Sequence, residues 1–412
     1  MSFKKIGLED VLLKALRSQG YSEPTPIQKS TIRHVIDGKD ILASAQTGTG
    51  KTAAFILPLL QNLLGKQSQS TNPKALIVTP TRELASQVLE STKTYGRYTK
   101  LRSMAVFGGV KIGQQIKNLQ DGMDIVVATP GRLLDLHQQR AINLNDIQTL
   151  VLDEADRMLD MGFIRDITRI QKLTPQNKQI LMFSATYSRE IRKLAAEMLN
   201  NPIRVDVAEE NKTAEKVDQC VIPIDKHRKP EALVQIFEYT NFSQSLVFTR
   251  TKHGANKLAK FLTKSGIEAK AIHSDRSQAN RTRVLEGFKR GKVAVLVATD
   301  ITSRGLDIDE LPLVINYELP HVAEDYVHRI GRTGRAGKEG AAYSLVSADE
   351  SKQLFAIEQL TRSKIEREMI EGLEPQVPLA EPTYKRQEQH SAGKRRNGKR
   401  RSKGQRRHRR AA

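Results

Sequence analysis

Cysteine is nearly absent from this chain: Cys220 stands alone among 412 residues. A single thiol excludes an intrachain disulfide framework and a cysteine-built metal cluster, and it suits a reducing compartment. Long apolar runs are missing as well. The longest, Ala53–Leu60, contains Pro58 and falls far short of the roughly 20 residues that cross a bilayer. The segment Met1–Gly20 carries Glu9 and Asp10 within an amphipathic helix pattern, so it is not expected to be a signal peptide. Acidic residues are scarce beside basic ones, 46 against 67, and the net charge is +21. The expectation is a soluble, cytoplasmic monomer with no membrane contact and a polyanionic partner.

The positive charge is uneven. Lys385–Arg410 holds thirteen lysines and arginines against Glu388 alone, more than half of the excess. From about Pro382 the chain shows no apolar periodicity and is expected to be a disordered basic tail. Before it, β-rich runs alternate with helical patterns. The first series is Ile41–Ser44, Ala75–Thr79, Ser103–Phe107, Ile125–Thr129, Leu150–Asp153 and Ile180–Ser184. The second is Gln219–Pro223, Leu246–Thr249, Ala269–His273, Val293–Ala298, Leu313–Tyr317 and Ala341–Val346. Near-continuous apolar strands of this kind belong in parallel sheets covered on both faces. The reading is α/β: two domains with mostly parallel sheets, residues 1–207 and 217–381, a charged linker at 208–216 and the tail at 382–412.

Between the strand at Ile41–Ser44 and the apolar helix pattern Ala53–Leu64 lies Ala45-Gln46-Thr47-Gly48-Thr49-Gly50-Lys51-Thr52. Its glycines let successive backbone N–H groups face phosphate oxygens, and the helix N-terminus adds its positive end. Lys51 suits the β- and γ-phosphates, and the Thr52 hydroxyl suits Mg²⁺. Ala45 stands where the general pattern has glycine, so the loop is a variant. Downstream, Asp153-Glu154-Ala155-Asp156 follows the apolar run Thr149–Leu152. Alone, those carboxylates could cap the helix Ala155–Asp160. With the phosphate loop they gain other roles: Asp153 holds Mg²⁺ through its waters and Glu154 orients or deprotonates the attacking water. ATP and Mg²⁺ are the expected cofactors.

Several strands end in a threonine that opens a helix. Pro80-Thr81-Arg82 and Thr129-Pro130-Gly131-Arg132 do so in the first half, with Thr249-Arg250 and Thr299 in the second. That carboxyl edge is where open α/β sheets take ligands, and repeated helix N-termini suit a phosphate backbone. His328-Arg329-Ile330-Gly331-Arg332-Thr333-Gly334-Arg335 supplies arginines from the second half. Arginine's planar fork fits phosphate oxygens, and a supplied arginine raises hydrolysis by about 10³–10⁵. Arg332 and Arg335 are therefore candidates to complete the site when two domains close.

Together these motifs resemble the DEAD-box RNA helicases of superfamily 2, over about Phe3 to Pro375. They are similar in particular to the bacterial RhlE-like subgroup, through Val247–Leu258 and Ile370–Pro375. The resemblance implies two RecA-like domains. It also implies further roles. Gly20–Gln28 matches the Q motif, with Gln28 on the adenine edge, Tyr21 stacked on the base and Phe3 supporting it. Ser184 and Thr186 would couple hydrolysis to unwinding. Asp307 would meet the ribose, Arg304 the domain interface, and His328 the Asp153–Asp156 segment. Gly108, Gly109, Gln278 and Arg281 would contact RNA. The chain departs from the family at Ser303, usually alanine, and at Ser274, usually glycine.

The implied activity is an RNA-stimulated ATPase that closes on single-stranded RNA and unwinds short duplexes with little sequence preference. Ribosome assembly and RNA decay are the settings implied. A DNA helicase of the same superfamily is one alternative, and an RNA-binding assembly scaffold is another. Intact Lys51, Thr52, Asp153, Glu154, Arg332 and Arg335 speak against the scaffold. The tail is expected to anchor RNA nonspecifically, with steep salt dependence.

Overall fold

In the computed structural model the described residues are 2–45, 49–65, 70–207, 217–240, 243–300, 308, 311–334 and 340–380. Seven strands build the first sheet: β1 (Ile41–Ala45), β2 (Ala75–Val78), β3 (Ser103–Val106), β4 (Ile125–Ala128), β5 (Thr149–Leu152), β6 (Gln179–Ser184) and β7 (Ile203–Val207). Seven more build the second: β8 (Val217–Pro223), β9 (Ser245–Thr249), β10 (Ala269–Ile272), β11 (Val295–Thr299), β12 (Leu313–Asn316), β13 (Gly340–Val346) and β14 (Glu366–Arg367). The orders are β3-β4-β2-β5-β6-β1-β7 and β10-β11-β9-β12-β13-β8-β14. One order maps onto the other strand for strand, and every pairing between these strands is parallel.

Burial explains the apolar runs. Ile41 and Ala43 enter one core cluster while Leu42 enters another, on the opposite face of the sheet. Val151 parts from Leu150 and Leu152 in the same way. Two strands were not anticipated. In β7, Ile203-Arg204-Val205-Asp206-Val207 is an edge strand paired only to β1, so alternate residues stay charged and the apolar run is broken. The second, β14, has two residues and pairs with β8.

Parallel pairing sends every strand's carboxyl end to one edge, and the helices start there. Lys51–Leu63 follows β1, Arg82–Tyr95 follows β2, Pro130–Gln138 follows β4 and Ala155–Asp160 follows β5. The first of these starts two residues before the expected Ala53, because Gly50 turns at φ +92 and ends the loop. Both domains fall within one contact unit, Met1–Leu379. The expected linker 208–216 and tail 382–412 lie outside the described residues.

Candidate nucleotide site and interdomain seam

At the end of β5, Asp153 is 3% exposed, and its carboxylate accepts a hydrogen bond from the Glu154 backbone N–H at 3.1 Å. Burial first, and Glu154 second, push its pKa up to about 7, against the pull of Lys51. Glu154 sits in the left-handed region at φ 53 and ψ 54 and makes no side-chain cap. The helix-cap reading therefore does not describe it; a non-glycine residue held there costs about 1–3 kcal/mol. Its Oε2 is shielded from solvent and has no hydrogen-bond partner among the described residues. Burial raises its pKa, and Lys51, Arg157 and Arg332 oppose that rise.

Lys51 is buried, and its ammonium donates to the Ala45 carbonyl. Thr52 is half-buried beside it. Gly50 tolerates no side chain: an added Cβ would meet Gln28 Nε2 at 2.5 Å. Gln28 donates from Nε2 to the Gly50 carbonyl at 3.1 Å and accepts from Thr25 N–H at 3.0 Å. One amide hydrogen and one lone pair of the carboxamide remain for a base edge. Phe3 is buried in the first core, a supporting position, and half-exposed Tyr21 packs against Tyr95 with ring centroids 6.3 Å apart. Gln46, Thr47 and Gly48 lie outside the described residues; Thr49 lies within them.

Asp156 points the other way. Its Oδ2 accepts from Ala185 N–H at 3.0 Å, Thr186 N–H at 2.9 Å and the Thr186 hydroxyl at 3.1 Å. The Ser184 hydroxyl donates to the Thr186 carbonyl at 2.8 Å. The Asp153–Asp156 segment thus grips the Ser184–Thr186 turn through one carboxylate.

Across the seam, the helix Ala323–Ile330 is fixed by buried Arg329. Its guanidinium donates to both Asp300 oxygens, at 2.6 and 2.7 Å, and to Asn316 Oδ1 at 2.9 Å. This anchorage presents His328 and Arg332 to a cavity of roughly 490 Å³ that Glu154, Asp156, Arg157 and Thr186 line from the first domain. Burial depresses the His328 pKa to about 4, with Lys51, Arg332 and Arg157 adding to the effect and Asp156 opposing it. Arg304, Asp307 and Arg335, together with Ser303, lie outside the described residues.

A second hollow, roughly 470 Å³, gathers Pro80, Thr81, Arg82, Thr129, Gly131 and Arg132 with Gly108 and Ser274. Gly109, at φ +80, leaves room for the Arg82 guanidinium, which a Cβ would strike at 1.9 Å. Pro130 is buried as the first residue of its helix. Five expected RNA contacts are placed differently. Arg281 is 6% exposed and pairs with Glu83 of the first domain at 2.7 Å, and Gln278 donates to the same carboxylate at 3.2 Å. They tie the domains together, although Arg281 also borders the hollow. Thr249 is fully buried, with its hydroxyl turned to the Thr251 carbonyl. Arg250 is spent on Glu350 and on the Leu319 carbonyl. Thr299 is buried at the end of β11.

The DEAD/DEAH box helicase model matches residues 25–194, and the helicase conserved C-terminal domain model matches residues 228–337. The ATP-dependent RNA helicase CshA of Limosilactobacillus reuteri is 41% identical over 387 residues, 94% of this chain and 76% of that protein. The chain belongs to the DEAD-box ATP-dependent RNA helicases. RhpA of Helicobacter pylori, another DEAD-box ATP-dependent RNA helicase, is 41% identical over 365 residues, 89% of this chain and 73% of that one. Among solved structures, Saccharomyces cerevisiae Dbp5 bound to RNA and ADP BeF3 superposes with a TM-score of 0.80 at 31% identity, covering 89% of this chain and 95% of that one. Mss116 bound to ssRNA and UDP-BeF gives 0.82 at 29% identity, covering 90% and 79%.

The donor set of this DEAD-box helicase fits a magnesium nucleotide. A buried carboxylate with a raised pKa and a neighbouring carboxylate oxygen without a partner are both eased by a cation. Among the described residues no three His, Cys, Asp or Glu groups converge as a metal site. Mg²⁺ does not need one, because phosphate oxygens and water complete its shell. Three seam residues escaped the sequence reading: Asp156 as the tie to Thr186, Glu83 as the partner of Arg281, and Arg157. Arg157 is 6% exposed and its Nε has no partner among the described residues. Only Asp156 had a signal, its place in the tetrapeptide. No described helix is long and apolar enough to cross a membrane.

Proposed function

We propose that the helicase binds ATP over Lys51, Thr52, Asp153 and Gln28, and that it hydrolyses ATP when the second domain brings Arg332 onto it. The observation that carries this reading is the shared cavity: Glu154 and Arg332 come from different domains and line one space. Glu154 accepts the proton of the attacking water, and its unpartnered Oε2 is the atom to do so. Lys51 and Arg332 neutralise charge on the phosphoryl oxygens, with Arg335 as a second cation from the same motif. Thr52 and Asp153 would hold Mg²⁺, which when bound screens the phosphate charge. Asp156 passes the state of the site to Ser184 and Thr186, and Arg304 and Asp307 would complete the interface and the ribose contact.

RNA lies along the hollow formed by Thr81, Arg82, Thr129, Gly131 and Arg132. These threonines and backbone amides meet phosphates and give little sequence preference. RNA bridging both domains stabilises closure and so stimulates hydrolysis. The residue spans 1–207 and 217–381 act as the two closing bodies, and the basic tail serves as an anchor. The RhlE-like placement rests on Val247–Leu258 and Ile370–Pro375. A cytoplasmic setting suits the single buried thiol of Cys220. Ribosomal precursors or RNA-decay assemblies are the partners in view. The test is ATP hydrolysis with RNA and DNA of equal sequence and length. Stimulation by RNA alone is expected, and equal stimulation by DNA contradicts the reading.

A further inference from the structure

The helix Arg82–Tyr95 starts at the RNA hollow and runs about 20 Å away from it, at 1.5 Å per residue. Ser86, Glu90, Lys93 and Arg97 follow Arg82 at intervals of four, eight, eleven and fifteen positions, so they continue its face past the helix end. Ser86, Glu90, Lys93 and Arg97 line a hollow of roughly 460 Å³ along that face. At its far end the Tyr98 ring is 41% exposed and carries two cations. Lys14 Nζ lies 4.5 Å from the ring centroid, and the Arg97 guanidinium carbon lies 5.4 Å from it.

We propose that this face and Tyr98 form a second contact for single-stranded RNA, reached by a strand that leaves the hollow at Arg82. The proposal rests on the reading of that hollow as the RNA site. Lys14, Arg17, Lys93, Arg97 and Lys100 are all exposed, and none forms a salt bridge among the described residues. The charged groups lining this hollow are Lys93 and Arg97 against Glu90 alone, so its balance is positive. Two cations drawn to one exposed ring repel each other, and a polyanion relieves that repulsion. Single-stranded RNA supplies both complements, phosphates for the cations and a base for the ring. An acidic protein surface would use the charges and leave the ring idle.

The test uses the full chain and two RNAs, a short oligonucleotide confined to the hollow and the same sequence with a single-stranded extension. In the wild type the extension lowers the RNA concentration that half-saturates ATP hydrolysis. The combined Lys14→Gln, Lys93→Gln and Arg97→Gln variant should lose that gain, on the order of tenfold. Its salt dependence on extended RNA should flatten by about 2 in log–log slope, from three lost contacts at about 0.7 each. The short RNA should stimulate wild type and variant alike. Tyr98→Leu should weaken extended RNA without changing the salt slope. The extension should also protect Lys14 and Lys93 from amine acylation. Equal losses on both RNAs, no loss on either, or unprotected lysines overturn the proposal. Failure of the short RNA to stimulate the wild type overturns the reading of the hollow, and this one with it.

Discussion

Lys51 and Lys229 open helices at the same place in the two sheets, after β1 and after β8, and their surroundings differ completely. Lys229 donates to the Tyr317 carbonyl at 3.0 Å, the Leu345 carbonyl at 2.8 Å and the Glu350 carboxylate. All three ammonium hydrogens are used. Glu350 in turn accepts from Arg250, Leu319 N–H and Ser347 as well. Lys51 has the Ala45 carbonyl. Near it, among the described residues, Asp153 is held by one backbone N–H and Glu154 Oε2 by nothing. The second domain sets its own carboxylate beside the lysine at the position where the first is proposed to receive phosphates. Buried charge that is fully satisfied holds structure together, whereas buried charge left short of partners awaits a ligand.

Substituting one carboxylate in each cluster should separate those roles. Glu154→Gln should cut RNA-stimulated hydrolysis by about 10²–10⁴, while binding of ATP and RNA persists. Turnover assays and nucleotide titration read both quantities, and unchanged hydrolysis would remove Glu154 from the chemistry. Glu350→Gln should do the reverse. It leaves buried Lys229 and half-buried Arg250 without their anion, costing about 3–5 kcal/mol in urea unfolding, with turnover per folded molecule unchanged. If Glu350→Gln abolished turnover at full stability, the two clusters would not differ as described.

The smallest expected effect concerns pH. His328 is held neutral on closure, with its pKa near 4 against an ordinary 6.5. The open or unfolded protein takes up a proton below about 6.5, and the closed form resists until about 4. Closure should therefore be fully favoured above that window and weaken as pH falls through it. The RNA concentration that half-saturates hydrolysis should rise several-fold between pH 7 and about 5.5. His328→Gln should flatten that rise, and an unchanged profile in the variant would place the titration elsewhere.

Both sheets were legible in the sequence because buried parallel strands write themselves as apolar runs. The edge strands β7 and β14 were not, since half-exposed or two-residue strands carry no such run. The carboxyl-edge threonines were only partly informative. Thr81 and Thr251 cap their helices, accepting from Leu84 N–H at 3.3 Å and Gly254 N–H at 3.0 Å. The same device therefore serves the edge where RNA is proposed to lie and a closed charge cluster. Local sequence shows that Thr249-Arg250 resembles Thr79–Arg82, but Glu350 lies a hundred residues away and decides what Arg250 does. Arg157 and Glu83 were missed for the same reason, because their partners come together only in the fold.

On the proposed reading, the ATP site of the first domain is completed by the second. Arg332→Ala tests it most directly, with ATP affinity and RNA-stimulated hydrolysis measured on the same preparation. Near-normal ATP affinity with RNA stimulation lost is the expected result. A variant that bound ATP poorly yet kept its RNA stimulation would contradict it.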